Sequence, residues 1–307
     1  MNYLNYFPEG SFYPSLTNSY SLESVAHLRE AGADAVLEHY AVSCDAEHNL
    51  HLELPCGKAV IPRAECALGV AEGTAKEIAI LSRVGKPVCF TVVDADADPI
   101  VLSRRRVQER VRERMLREVG RGDVLYACVS HVEPFGVFVD LGAGLPSFIG
   151  IENLSVSRIA HPREQFHPGQ ELYAVATKID PEAGRIHLSH KELLGTWEEN
   201  IARFHTGETV RGIVRSIEPY GIFVELAPNL SGLADPRPGI ARGDHVSVHI
   251  RNIIPQRMKI KLNIIDRIVP RPKTASYRYF LPPGHHIDRW RYSPADCTER
   301  VIETDLT

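Results

Sequence analysis

The sequence predicts an all-β protein of tandem five-stranded barrels joined by α-helical linkers, and three observations carry that expectation. Two phrases standing 85 residues apart repeat one design, Phe135-Gly136-Val137-Phe138-Val139-Asp140-Leu141 and Tyr220-Gly221-Ile222-Phe223-Val224-Glu225-Leu226. Their frames repeat at the same offset, since Gly122-Asp123-Val124 recurs as Gly207-Glu208-Thr209. Both phrases sit in units that read as about five short alternating strands punctuated by Gly and Pro, which suits a small Greek-key barrel of the OB type.

In chain order, residues 1–20 show no periodicity and read as a loose arm. A helix is expected from Ser21, with Leu22, Val25 and Leu28 facing inward and Gly32 ending it. It leads a weak third copy of the unit within 21–104. There Leu50, Leu52 and Leu54 alternate with polar residues, Gly57 to Arg63 continues the sheet, and Ile100 to Ser103 closes it. Residues 105–120 read as a helical linker, because Val107, Val111 and Met115 fall at i, i+4 and i+8 and Gly120 is placed as a C-cap. Its arginines are diluted by Glu109, Glu113 and Glu118, the pattern of a solvated face with i,i+4 pairs.

The middle barrel is expected over 121–190. A second helical linker follows over 191–206, with Leu193, Trp197, Ile201 and Phe204 on one stripe. The last barrel is expected over 207–267, closing on Ile260-Lys261-Leu262-Asn263. Residues 268–307 form an extension that interleaves aromatics with arginines, as in Tyr277-Arg278-Tyr279-Phe280-Leu281-Pro282-Pro283 and Arg289-Trp290-Arg291-Tyr292. So many aromatics are expected to pack onto the last barrel, with Arg300 to Thr304 adding a short strand. The alternative for this segment is extra stacking surface with cation–π support.

Composition is that of an ordinary soluble globular protein, 44% hydrophobic and 24% charged over 307 residues. The start of the chain has neither a basic n-region nor an apolar stretch, so no signal peptide is expected. No apolar run approaches the roughly 18 residues a membrane span needs. Six scattered cysteines make no disulfide framework, so reduced thiols and a cytoplasmic address are expected. Net charge is −4 but unevenly spread: residues 1–100 hold 6 Lys/Arg against 14 Asp/Glu, and 101–307 hold 29 against 25. Polyanion binding therefore belongs to the later two thirds.

Parity within the twin phrases points to the chemistry. Val137, Val139 and Leu141, like Ile222, Val224 and Leu226, define one apolar face. The other face then carries Phe138 with Asp140, and Phe223 with Glu225. An outward aromatic beside a carboxylate suits a base-stacking platform better than a core. Phe135 and Tyr220 join it only if Gly136 and Gly221 bend the strand.

These phrases, with Gly184-Arg185-Ile186-His187-Leu188-Ser189 and Ser231-Gly232-Leu233, resemble the S1 RNA-binding domain family. A tandem of such units without a catalytic domain resembles short ribosomal-protein-S1-like proteins of bacterial type. The resemblance is strong over 122–194, good over 207–266 and weak over about 32–104, where it implies a degenerate S1-like domain. It implies an RNA surface at Phe135, Phe138, Asp180 and Arg185 in the middle unit, with Gly150 where the family has a histidine. In the last unit it implies Tyr220, Phe223 and Lys259, with Asp235 and Ile254 standing at two further positions. Lys178, His187 and Lys261 complete the RNA-facing candidates. The first unit has His48 and His51 where the aromatics should be and Pro62 at the histidine position, and the resemblance implies a protein-docking role for it.

The expected function is non-catalytic binding of single-stranded RNA, mRNA above all, by stacking on Phe138 and Phe223, with phosphate contacts from Arg185, Lys178, Lys259 and Lys261. Two tandem units raise avidity through effective concentration. The resemblance implies translation on the small ribosomal subunit, docked through the first domain. A ribosome-independent RNA chaperone or regulator is the first alternative, and a protein-interaction scaffold is an alternative of another class. No small-molecule substrate, cofactor or membrane is expected. Cys44, His48, His51, Cys56 and Cys66 match no standard zinc spacing, and no catalytic triad, paired-carboxylate site or phosphate loop is present.

Overall fold

The computed structural model describes residues 7–11, 16–270, 277–281 and 284–307. It holds three closed five-stranded barrels of identical connectivity. The all-β expectation therefore holds. The first barrel comprises β1 (Leu37–Cys44), β2 (Leu50–Leu54), β3 (Gly57–Ile61), β4 (Pro87–Asp94) and β5 (Ile100–Ser103). The second comprises β6 (Val124–Glu133), β7 (Gly136–Asp140), β8 (Pro146–Gly150), β9 (Glu171–Asp180) and β10 (Arg185–Ser189). The third comprises β11 (Thr209–Glu218), β12 (Gly221–Ala227), β13 (Leu230–Ala234), β14 (His245–Ile254) and β15 (Lys259–Arg267). In each, the third and fifth strands pair in parallel and close the barrel. No described helix is long and apolar enough to cross a membrane.

Contacts group the described chain into two compact units. One runs to Glu118 and includes Asp140–Pro146; the other holds Val119–Val139 and Ser147–Thr307.

In the first unit, the inward parity expected of Leu50, Leu52 and Leu54 is observed, and all three are buried. The helix expected from Ser21 to Gly32 is instead two pieces, α1 (Leu16–Leu22) and α2 (Val25–Ala31). Ser24 divides them, because its hydroxyl accepts from the His27 amide and starts a new helix. Gly32, at φ 76°, ends α2 as expected. A short α3 (Ile78–Leu81) precedes β4.

After β5, α4 (Arg105–Glu118) buries Val107, Val111 and Met115 on one stripe. Its arginines pair at i,i+4 as expected, Arg105 with Glu109 and Arg114 with Glu118. Arg104 is the exception, since it is buried and its Nε donates to Glu9 Oε1 at 2.6 Å. Glu9 thus anchors a stretch expected to be a loose arm. Burial pushes its carboxyl up, but Arg104 and Arg83 hold it below the ordinary value. The rest of that arm's expectation falls partly on residues 1–6 and 12–15, outside the described residues.

In the second unit, the single stripe expected over Glu192–Phe204 is broken. A 3-10 turn over Lys191–Leu194 stops at Gly195, whose φ of 81° cannot continue a right-handed helix. Thr196 then caps α5 (Trp197–Ile201) through a reciprocal box with Glu199. The tail packs, and against more than the last barrel. β16 (Arg289–Arg291) and β17 (Glu303–Asp305) form a two-stranded sheet, close to the strand expected at Arg300–Thr304. Trp290, Tyr292 and Leu306 are buried in the core that also holds Val124, Val175 and Trp197. The Ile287 amide donates to Gly122 O at 2.9 Å, and the Phe280 amide to Leu193 O at 3.0 Å. Arg278 lies over the Phe280 ring, so one expected cation–π pair is internal. Pro282 and Pro283 lie outside the described residues.

Candidate nucleic-acid interface

The middle barrel gathers three phenylalanines on one outer surface. Phe135 precedes β7 and is 57% exposed, while Phe138 on β7 and Phe148 on β8 are half-buried. Phe138 stands edge-on to Phe135 at 6.3 Å between ring centroids, and 5.0 Å from Phe148. Val137 and Val139 between them are fully buried, so the alternation read from the sequence holds here. Gly136 resolves the parity of Phe135. A Cβ there would run into the Ile149 carbonyl and the Phe148 ring, so only glycine lets β7 approach β8 this closely.

Cations and a carboxylate border the trio. His187 on β10 pairs in register with Phe148 on one side and with Lys178 on the other. Arg185 pairs with Asp180 at the end of the same ladder. Arg185, His187 and Lys178 are exposed, and Lys178 Nζ lies 3.7 Å from Asp180 Oδ2. A hydrogen bond from the Ala183 amide, helped by Lys178, holds the Asp180 carboxyl below its ordinary range. All six candidates of this barrel therefore fall on one face, joined by Phe148. Phe148 is not among the candidates read from the sequence.

The last barrel repeats the arrangement with fewer aromatics. Tyr220 is 67% exposed and stands edge-on to Phe223 at 6.2 Å. Phe223 pairs with Leu233 on β13, which pairs with Lys261 on β15. Leu233 and Lys261 thus take the places of Phe148 and His187. Ile254 pairs with Lys259 as Asp180 pairs with Arg185. Lys261 is exposed, whereas Lys259 Nζ lies 3.6 Å from Glu299 Oε2 in the tail. Both partners are exposed, so this pair is worth little.

The carboxylates of the twin phrases are not on the exposed face. Asp140 is buried, accepting from the Gly142 and Gly144 amides at 2.7 and 3.0 Å and from the Glu9 amide at 2.8 Å. Burial, reinforced by Glu9, pushes its carboxyl well up. Glu225 is buried too, accepting both Nε and Nη2 of Arg215 at 2.8 and 2.9 Å. Arg215 also donates to Glu164 of the 3-10 turn Pro162–Glu164 at 2.8 Å. A bulge after Glu225 moves Leu226 to a half-buried place and turns Ala227 inward, which breaks the expected alternation. Loop amides and an arginine on the neighbouring strand outweigh strand parity at these positions.

The first barrel has no aromatic at the equivalent ladder. His51 pairs with Ser43 and Val60, and Val60 with Val101, in the register of Phe223, Leu233 and Lys261. His51 Nε2 lies 2.8 Å from Asp45 Oδ2. Hydrogen bonds from His51 and Asn49 pull the Asp45 carboxyl down to about 2. His48 pairs with Glu77, which also takes Arg63 at 2.5 Å. These two histidines are each paired with a carboxylate, where the other two barrels carry Phe and Tyr rings at the equivalent positions. No group of three or more His, Cys, Asp or Glu among the described residues could hold a metal ion.

Residues 118–191, which enclose the middle barrel, match the family model of the S1 RNA binding domain. The chain is 29% identical over 188 residues to small ribosomal subunit protein bS1 of Staphylococcus aureus, covering 56% of this chain and 48% of that protein. It is 31% identical over 199 residues to the protein of the same name from Neisseria meningitidis, covering 59% and 35%. It thus spans half or less of the length of these curated relatives. Among solved structures, a multidomain protein with nucleic acid binding domains from Streptococcus pneumoniae aligns over 78% of this chain and 76% of its own. Identity there is 15% and the TM-score 0.25, so the likeness carries no argument.

Proposed function

We propose that this protein binds single-stranded RNA without catalysis, laying bases on the platforms around Phe138 and Phe223 and phosphates on Arg185, Lys178, Lys259 and Lys261. One observation carries the reading: an edge-on pair of one exposed and one half-buried ring recurs at the same ladder position in two barrels of one compact unit. Stacking is worth about 1–3 kcal/mol per base and tolerates any base, since each has a π face. Salt-dependent phosphate contacts supply the rest.

The curated relatives bear the name of a small ribosomal subunit protein, and we extend the proposal accordingly: the chain holds mRNA for translation at that subunit. The first barrel suits a protein contact better than RNA. Its histidines are engaged by Asp45 and Glu77, and residues 1–100 carry 14 Asp/Glu against 6 Lys/Arg.

Filter binding to a single-stranded RNA series tests the first part. Phe138→Ala with Phe223→Ala should weaken binding at least about tenfold, and His51→Ala should leave it unchanged. Undiminished affinity in the double variant would favour a protein-interaction scaffold. Co-sedimentation with small ribosomal subunits tests the second part. Docking that persists in the double variant supports a protein contact, and absence of docking in the unaltered chain favours a ribosome-independent RNA regulator.

A further inference from the structure

The aromatic pair of the last barrel opens onto a cleft of about 500 Å³. That volume lies within the roughly 300–1,000 Å³ typical of small-molecule sites. Phe223, Tyr220 and Met258, which precedes β15, line it together with the buried rings of Trp197 and Tyr292. Three parts of one compact unit build it: the last barrel, the segment after β8 that brings Arg158, and the tail that brings Arg300.

Two cations at this cleft are available. Arg158 is 84% exposed at its side chain and, among the described residues, its one ion pair is with Glu218, at 3.8 Å. Arg300 has no carboxylate within ion-pair distance among the described residues. Its backbone is nevertheless fixed, since its carbonyl accepts the Ser293 hydroxyl at 2.8 Å and that hydroxyl accepts the Ile302 amide at 2.9 Å. A held backbone with an unspent guanidinium is suited to an anion. Arg215 and Asn229 also reach the cleft but are committed elsewhere. Arg215 holds Glu225 and Glu164, and the Asn229 amide spans Val156 N and Lys191 O. The hydroxyls of Ser157 and Ser231, 3.1 Å apart, keep spare hydrogen-bonding capacity.

We infer that this cleft is a single-nucleotide pocket, in which one base of the strand lying on Tyr220 and Phe223 turns in against Phe223 and Met258 while its phosphate meets Arg300 and Arg158. This rests on the RNA-binding reading above and adds to it. A flat platform accepts any base, whereas a walled pocket with hydroxyls at its edge discriminates by size and hydrogen bonding. The tail then serves recognition as well as packing.

The chain has two tryptophans, and only Trp197 lines the cleft. Trp290 Nε1 has no hydrogen-bond partner among the described residues, so Trp290→Phe removes no bond. Full-length Trp290→Phe protein is titrated with nucleoside 5′-monophosphates and with ribose 5-phosphate, following Trp197 emission. Calorimetry on the unaltered chain gives a second readout. The nucleotides should saturate, and ribose 5-phosphate should bind at least about tenfold more weakly for want of a stacking base. Arg300→Ala should weaken nucleotide binding several-fold, Arg300→Lys should restore most of it, and Arg300→Ala should lower the salt slope of RNA binding by about 0.7. No saturable response to any nucleotide, or equal binding of ribose 5-phosphate, overturns the pocket. If the Phe138→Ala, Phe223→Ala double variant still weakens RNA binding in that event, the pocket alone falls; if it does not, the RNA reading falls with it.

Discussion

His190 Nε2 lies 3.2 Å from the Tyr279 hydroxyl, deep inside the unit that holds the middle and last barrels. Nδ1 lies 3.1 Å from Leu154 O, and the Tyr279 oxygen accepts the Tyr173 amide at 3.1 Å. One proton arrangement satisfies all three: Nδ1–H donates to the carbonyl, and the tyrosine O–H donates to Nε2. Burial disfavours the charged imidazole and pushes it down to about 4.

The pH dependence follows with a definite sign. In the unfolded chain this histidine takes up a proton near its ordinary value of 6.5, whereas in the fold it resists down to about 4. Its share of stability is fully present above 6.5 and is lost as pH falls toward 4, by up to about 3 kcal/mol. Urea unfolding of this unit at pH 7 and pH 5 should show the loss, and His190→Gln should flatten it. Tyr279→Phe orphans both the Tyr173 amide and Nε2, and should cost about 1–3 kcal/mol at pH 7.

Phe148 and Leu233 occupy the same ladder position, beside Phe138 and Phe223 respectively. Phe148→Leu should therefore weaken single-stranded RNA binding several-fold, and Leu233→Phe should strengthen it, both by fluorescence anisotropy. Equal and unchanged affinities would remove the third ring from the platform.

Trp290, Tyr292, Ile287 and Leu306 are buried together in the tail. Limited proteolysis should leave 284–307 attached under conditions that cut exposed loops. Trp290→Ala should cost about 3–5 kcal/mol in the unfolding of this unit, as large ring deletions from a core do. Rapid loss of the tail from the free protein would contradict the packing.

The barrels were legible because local periodicity and global topology agree: Val137 with Val139, and Leu50 with Leu52, alternate as strands must when one face is buried. Phe138 and Phe223 were legible for the same reason, as rings out of phase with that alternation, whereas Phe135 and Tyr220 share its phase and reach the same surface only through the glycine that follows each. What stayed hidden depends on contacts that the alternation along a single strand does not encode. Strand parity turns Asp140 and Glu225 outward, and only the amides of Gly142 and Gly144, or Arg215, explain their burial. Glu9 has no local signal at all, because the interaction that places it is with Arg104. Phe148 lies next to a core isoleucine and reads as ordinary strand filling until the fold puts it beside Phe138. The break at Gly195 was visible as a glycine, yet the apolar stripe across it outweighed that signal.

The clamp of Arg215 between Glu225 and Glu164 ties the last barrel to a turn that follows the middle barrel's β8, and the tail's bonds to Gly122 and Leu193 add to it. Under the proposed RNA binding, two aromatic surfaces fastened in this way do not search for each other on a flexible tether. Affinity should then respond to RNA length as a step: oligonucleotides too short to bridge the fixed span gain nothing from the second surface, and those just long enough gain nearly all of it.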